Sequence, residues 1–166
     1  MRTVRTKVFK FNELSETAKE NAIEKNYYFN VENLDWWESV YEDASNVGLR
    51  LTGFDLDRNK HAKGEFLNPA PECAESIIEN HGKECDTFKI AETFLNDLNQ
   101  LTGQYDNIDD CPESEIDDLE NEFLESLLSE YADILEKECE YLTSSEAIAE
   151  SLIANEYEFT KEGNIF

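Results

Sequence analysis

Three clusters in this 166-residue chain carry side chains of the kind that bind metals or move protons. Asp55, Asp57 and Asn59 alternate like the first ligands of a calcium loop, and Cys73, His81 and Cys85 offer soft donors to zinc. The carboxylate pairs Asp109/Asp110 and Asp117/Asp118 are of the type that holds metal ions in a nuclease. Each fails on spacing or setting. The sixth loop position is Lys60, where calcium loops need glycine for a sharp turn, and the twelfth is Phe66, where a bidentate Glu belongs. Zinc sites are built from close ligand pairs, whereas seven and three residues intervene here. A nuclease surrounds its metal carboxylates with Lys and Arg to grip a polyanion, but residues 101–166 contain only Lys137 and Lys161. Neither His61 nor His81 accompanies a nucleophile motif, and His81 beside Gly82 reads as a helix C-terminal residue favoured by the dipole. We expect no catalytic residue, no metal and no cofactor.

What remains is charge. Residues 101–166 hold 20 acids against 2 bases, or −18, while residues 1–100 hold 19 against 12, or −7. Such a field repels nucleic acid and anionic membranes and attracts basic surfaces. Glu113, Glu115, Asp117, Asp118, Glu120, Glu122, Glu125, Glu130, Asp133 and Glu136 recur three or four residues apart along one stretch, so on a helix they are like-charge neighbours. Each such pair costs roughly 0.2 to 0.5 kcal/mol, about 2 to 4 kcal/mol in all. Solubility needs less acid than this. Carboxylates ~5 to 6 Å apart along a helix approach the spacing of phosphates, so the helix fits a basic groove built for DNA or RNA. We take these ten acids as candidate partner-binding residues. To them we add Trp36, which points about 100° away from Trp37 on a helix and so is left partly exposed as an interface anchor.

The elements that would position these residues follow from periodicity. Residues 3–10 read as a strand and 12–29 as a helix capped by Asn12 or Ser15, with Leu14, Ala18, Ala22 and Ile23 on its apolar stripe. A second helix spans 34–47 and stops at Gly48. Strands 49–57 and 62–67 form a hairpin around the Asp57 to Lys60 turn. Helices follow at 69–80 and 86–101, then a loop over 102–112. The longest helix, 113–141, carries Ile116, Leu119, Phe123, Leu127, Ile134 and Leu135 on its core stripe. Thr143 and Glu146 read as a capping box for a last helix, 144–155, and residues 157–166 as a small hairpin turning at Gly163. The fold class is therefore α+β and helix-dominant, with a small antiparallel sheet from the N-terminal strand and hairpins and a long acidic C-terminal helix. We expect a single domain, a mixed α/β core over 1–101 with an acidic helical region over 102–166 packed on it.

Ten Phe, seven Tyr and two Trp in a 40% hydrophobic composition place the chain among folded proteins. No apolar stretch near the N-terminus is long enough for a signal peptide or a membrane span, which predicts an intracellular protein. Four cysteines without a C-x-x-C pair are expected as thiols. Salt adaptation also yields acidic chains, but Lys exceeds Arg by 10 to 4 and Glu exceeds Asp by 27 to 12, against that trend.

At FNELSETAKENAI (residues 11–23), GFDLDRNKHAKGEF (53–66) and EYLTSSEAIAESLIANEYEFTKEGNIF (140–166) the chain resembles a family of small acidic proteins from bacteriophages and mobile elements, some of them loosely labelled antitoxins. The resemblance implies a phage-encoded accessory protein acting in the cytoplasm of the infected bacterium, and it supplies no catalytic residue. In its physics the charge pattern also resembles phage anti-restriction and anti-CRISPR proteins that imitate DNA. The expected partner is a basic nucleic-acid-binding host protein, a nuclease or a CRISPR or restriction effector, with no direct contact to nucleic acid or membrane. A homodimer is left open. The alternative is an antitoxin-like or regulatory binder that neutralises one basic partner through an apolar patch, with the acid serving solubility.

Overall fold

A computed structural model describes residues 7–32, 35–105 and 111–166. It is α+β and helix-dominant, with short antiparallel strands and a long C-terminal helix. The contacts divide the chain into two compact units, and not near residue 101. One joins the described part of Met1–Trp36 to Lys137–Phe166, and the other is Trp37–Glu136.

The terminal unit begins with a strand β1, Phe9–Lys10, and a 3-10 turn, Phe11–Glu13. The strand expected over 3–10 is thus two residues long where it is described, and its first part lies outside the described residues. Ser15 rather than Asn12 caps α1, Glu16–Lys25, accepting the Ala18 N–H. The helix stops four residues short of residue 29 because the Asn26 amide turns back on the Ala22 carbonyl at 2.7 Å, and successive turns follow. At the other terminus Ser144, not Thr143, caps the helix Ser145–Ala154 by accepting from Ala147 N–H; the Thr143 hydroxyl donates to the Cys139 carbonyl instead. The closing strand Glu158–Phe159 pairs antiparallel with β1, Phe9 opposite Phe159. Beyond it, residues 160–164 turn and Ile165 bridges back to Phe159, as expected of the tail. Gly163 sits at φ +81, and a Cβ there would lie 2.1 Å from the Ala18 carbonyl oxygen, so both conformation and space require glycine. Phe11, Leu14, Ala22, Ile148, Leu152 and Phe159 form the buried centre of this unit.

In the second unit, α2, Glu38–Asn46, starts later than expected, with Trp37 at its N-cap; Leu34 lies outside the described residues. Gly48 ends it at φ +88, the left-handed conformation foreseen for a helix stop. The hairpin of β2, Leu49–Asp55, and β3, His61–Phe66, pairs Leu49 with Phe66 and Leu51 with Gly64, then bulges before Gly53. It forms a sheet separate from the β1 pair, so the one small sheet expected is two. Helices α3, Ala70–Asn80, and α4, Asp86–Thr102, pack together, and Cys85 holds the α4 N-cap position. The long helix α5, Glu113–Leu142, belongs to this unit through Glu136 and continues into the other. Its core side is Phe123, Leu127, Tyr131, Ala132 and Leu135, all buried, whereas Ile116, Leu119 and Ile134 are half-buried. The Phe123 ring stacks on Phe94 at 4.3 Å and on Phe66 at 5.6 Å, joining α4, α5 and the hairpin.

Candidate partner-binding site

Helix α5 forms because Phe123, Leu127, Tyr131 and Leu135 recur every fourth residue and bury one side of it. Glu113 and Glu115 in its first turn favour the positive end of the helix dipole. At about 100° per residue the acids beyond the buried stripe fall into two rows. Glu115, Asp118, Glu122 and Glu125 form one, and all four are exposed. Glu113, Asp117 and Glu120 form the other; Glu120 is half-buried, and that burial, followed by the nearby Asp117 charge, pushes its carboxyl pKa up.

The ten acids chosen from sequence differ in their partners. Asp133 and Glu136 both bind Lys60 from the hairpin tip, at 2.5 and 2.6 Å, and these two hydrogen bonds hold the ammonium pKa above the usual lysine range. Glu130 is half-buried and engaged. No ion pair reaches Glu113, Glu115, Asp117, Asp118, Glu120, Glu122 or Glu125 among the described residues. These seven carboxylates span 13 residues. At ~1.5 Å per residue that is about one charge per 3 Å of helix axis. One strand of B-DNA carries a phosphate every ~3.4 Å. Trp36 is half-buried and engaged, and it belongs to the terminal unit, whereas these acids belong to the other. Trp37 is half-buried too, its ring edge-on to Phe54 at 5.9 Å.

A polar network in the second unit was not foreseen. Tyr131, fully buried, donates its hydroxyl to Asp43 Oδ2 at 3.0 Å; His81 Nε2 lies 3.5 Å from Asp43 Oδ1, and His81 Nδ1 is 2.8 Å from Thr87 Oγ1. The His81 hydrogen bond, with a smaller contribution from Tyr131, holds the Asp43 carboxyl below its ordinary pKa against the opposing effect of burial. Burial is also the main cause that raises the Tyr131 phenol pKa. Hydroxyl, imidazole and carboxylate follow the order of a nucleophile relay, yet Thr87 is 3% exposed, so its hydroxyl is closed to an approaching molecule. What the network does is satisfy the Tyr131 hydroxyl inside the core. The only sequence signal for it is a tyrosine on the buried stripe of α5, whose hydroxyl must find a partner.

The calcium-like segment is a hairpin tip: the Asp57 N–H donates to Asp55 Oδ1 at 2.8 Å, and the His61 ring bonds the Asn59 carbonyl. Among the described residues no group of three His, Cys, Asp or Glu side chains is placed to hold a metal ion. Asp109 and Asp110 lie outside the described residues. All four cysteines are free thiols, with Cys73 fully buried and its pKa pushed up to about 11 by that burial.

Beside the exposed acidic row, α4 and α5 enclose a groove of about 230 Å³. Phe94 and Phe123 lie at its base, Ile90 and Leu119 on its walls, and Asp97 and Glu122 on its rim. In the terminal unit, Tyr27 and Tyr28 are 44% and 63% exposed and meet edge-to-face at 4.9 Å.

Among the described residues no helix is long and apolar enough to cross a membrane. No protein-family model, curated protein or solved structure matches the chain.

Proposed function

We propose that the chain is a non-enzymatic, phage-encoded inhibitor that acts in the cytoplasm of the infected bacterium. The first half of α5 occupies the basic nucleic-acid cleft of a host defence protein, a nuclease or a CRISPR or restriction effector, and excludes its nucleic acid by competition. The carrying observation is the run of seven carboxylates from Glu113 to Glu125, none ion-paired among the described residues, at a linear charge density near that of a DNA strand. Charge of one sign on a helix speeds encounter with a basic cleft and makes the complex salt-sensitive. The test replaces Glu115, Asp118, Glu122 and Glu125 with Lys and compares capture of host proteins by the immobilised wild-type and variant chains. Basic nucleic-acid-binding proteins should be retained by wild type at low salt and lost with the variant, whose circular dichroism should stay unchanged. Capture that survives the reversal contradicts it.

A second reading is an antitoxin-like binder that holds one basic partner through an apolar patch. Exposure of Tyr27 and Tyr28, stacked edge-to-face, favours it. In that case Tyr28→Ser abolishes capture and the lysine substitutions on α5 do not.

A further inference from the structure

We infer that the groove between α4 and α5 takes one apolar side chain from a basic segment of the partner. The inference rests on the proposed acidic interface and locates its apolar anchor. Phe94 and Phe123 are each 3% exposed, so the base is continuous with the core. The volume of about 230 Å³ falls below the ~300 to 1,000 Å³ of small-molecule pockets and suits a single leucine- or phenylalanine-sized side chain.

Charge selects the kind of segment that delivers it. Glu122 belongs both to the groove and to the exposed row with Glu115, Asp118 and Glu125, and the exposed Asp97 lines the same groove from α4. Lys89 also lines the groove, but Asp86 holds its ammonium at 2.7 Å. A segment laid along the acidic row therefore seats its apolar residue with lysine or arginine on both sides, and an acidic segment is repelled. Apolar burial then slows release of a complex that charge has assembled.

The test uses three short fluorescent peptides at low salt: a lysine-rich peptide with one central phenylalanine, its central-alanine counterpart, and a glutamate-rich peptide with the same phenylalanine. The lysine-rich phenylalanine peptide is expected to bind the full chain about tenfold more tightly than its alanine counterpart. Thr93→Trp, from an exposed position on the groove, should fill it, bring that ratio to about one and leave the alanine peptide's affinity unchanged. Ser126→Trp does the same independently from α5 should the first variant melt early. Equal binding of the two lysine peptides to wild type overturns the anchor. So does a phenylalanine preference that survives both variants, or equal binding of the glutamate-rich peptide. If neither lysine peptide binds, the acidic-interface reading falls as well; if both bind equally, the anchor alone falls.

Discussion

The Tyr131 hydroxyl is buried among apolar side chains, and an unpaired hydroxyl there would cost about 1 to 3 kcal/mol. Asp43 removes that cost and is itself held by His81, so side chains far apart in sequence fix α2, the end of α3 and α5 to one another. The consequence for pH follows from sign. Asp43 has a folded pKa below its ordinary value, so its contribution is present above the unfolded value of ~3.9 and is lost as pH falls through the folded one. Because Asp43 is half exposed, solvent keeps the contribution small. Asp43→Asn should cost about 1 kcal/mol at pH 7 in urea denaturation, and the gap should narrow as pH falls below about 4. A gap constant down to pH 2 would show that the charge is not what matters. Lys60 teaches a related lesson, since its bonds to Asp133 and Glu136 remove two acids from the set that sequence alone had made equivalent.

At the scale of elements, α5 is stable because its apolar side is buried and strained because its exposed side is all of one sign. Asp118 and Glu122 each have like-charged neighbours in the exposed row. The pair Asp118→Asn with Glu122→Gln should therefore raise stability by about 0.5 to 1.5 kcal/mol in low salt. In ~1 M salt, where the screening length is ~3 Å, the gain should vanish. Thermal melts in the two buffers check this, and an unchanged or lowered melting temperature at low salt would contradict the strain. Much of this architecture was legible locally. Period and punctuation located α4 and α5, Gly48 closed α2, and Asp57 to Lys60 made the hairpin tip. What was not legible depends on distant residues: β1 pairs with a strand some 150 residues later, and the Asp43, His81 and Tyr131 network joins three helices. Capping was legible only to within a residue, because Thr143 and Ser144 are chemically alike and only backbone geometry shows that Ser144 faces the Ala147 N–H. The acids of the site were legible as a set, but the capture of Asp133 and Glu136 by Lys60 was not.

For the whole molecule, folding redistributes the charge. Residues 37–136 hold 26 acids and 6 bases, or −20, whereas residues 1–36 and 137–166 together hold 13 and 8, or −5. A division by sequence at residue 101 gave −18 and −7. One compact unit thus carries a larger share of the net charge than residues 101–166 do, though over 100 residues and not 66, and the other unit keeps only −5. A field of that sign repels nucleic acid and attracts basic surfaces, which is the physical basis of the proposed occupancy of a nucleic-acid cleft. The most direct measurement of that claim is competition on a captured basic host protein between this chain and fluorescent duplex DNA, read by anisotropy across a salt series. Mutually exclusive binding, with both affinities falling as salt rises, is the predicted result. A ternary complex in which DNA and this chain bind the host protein together would contradict it.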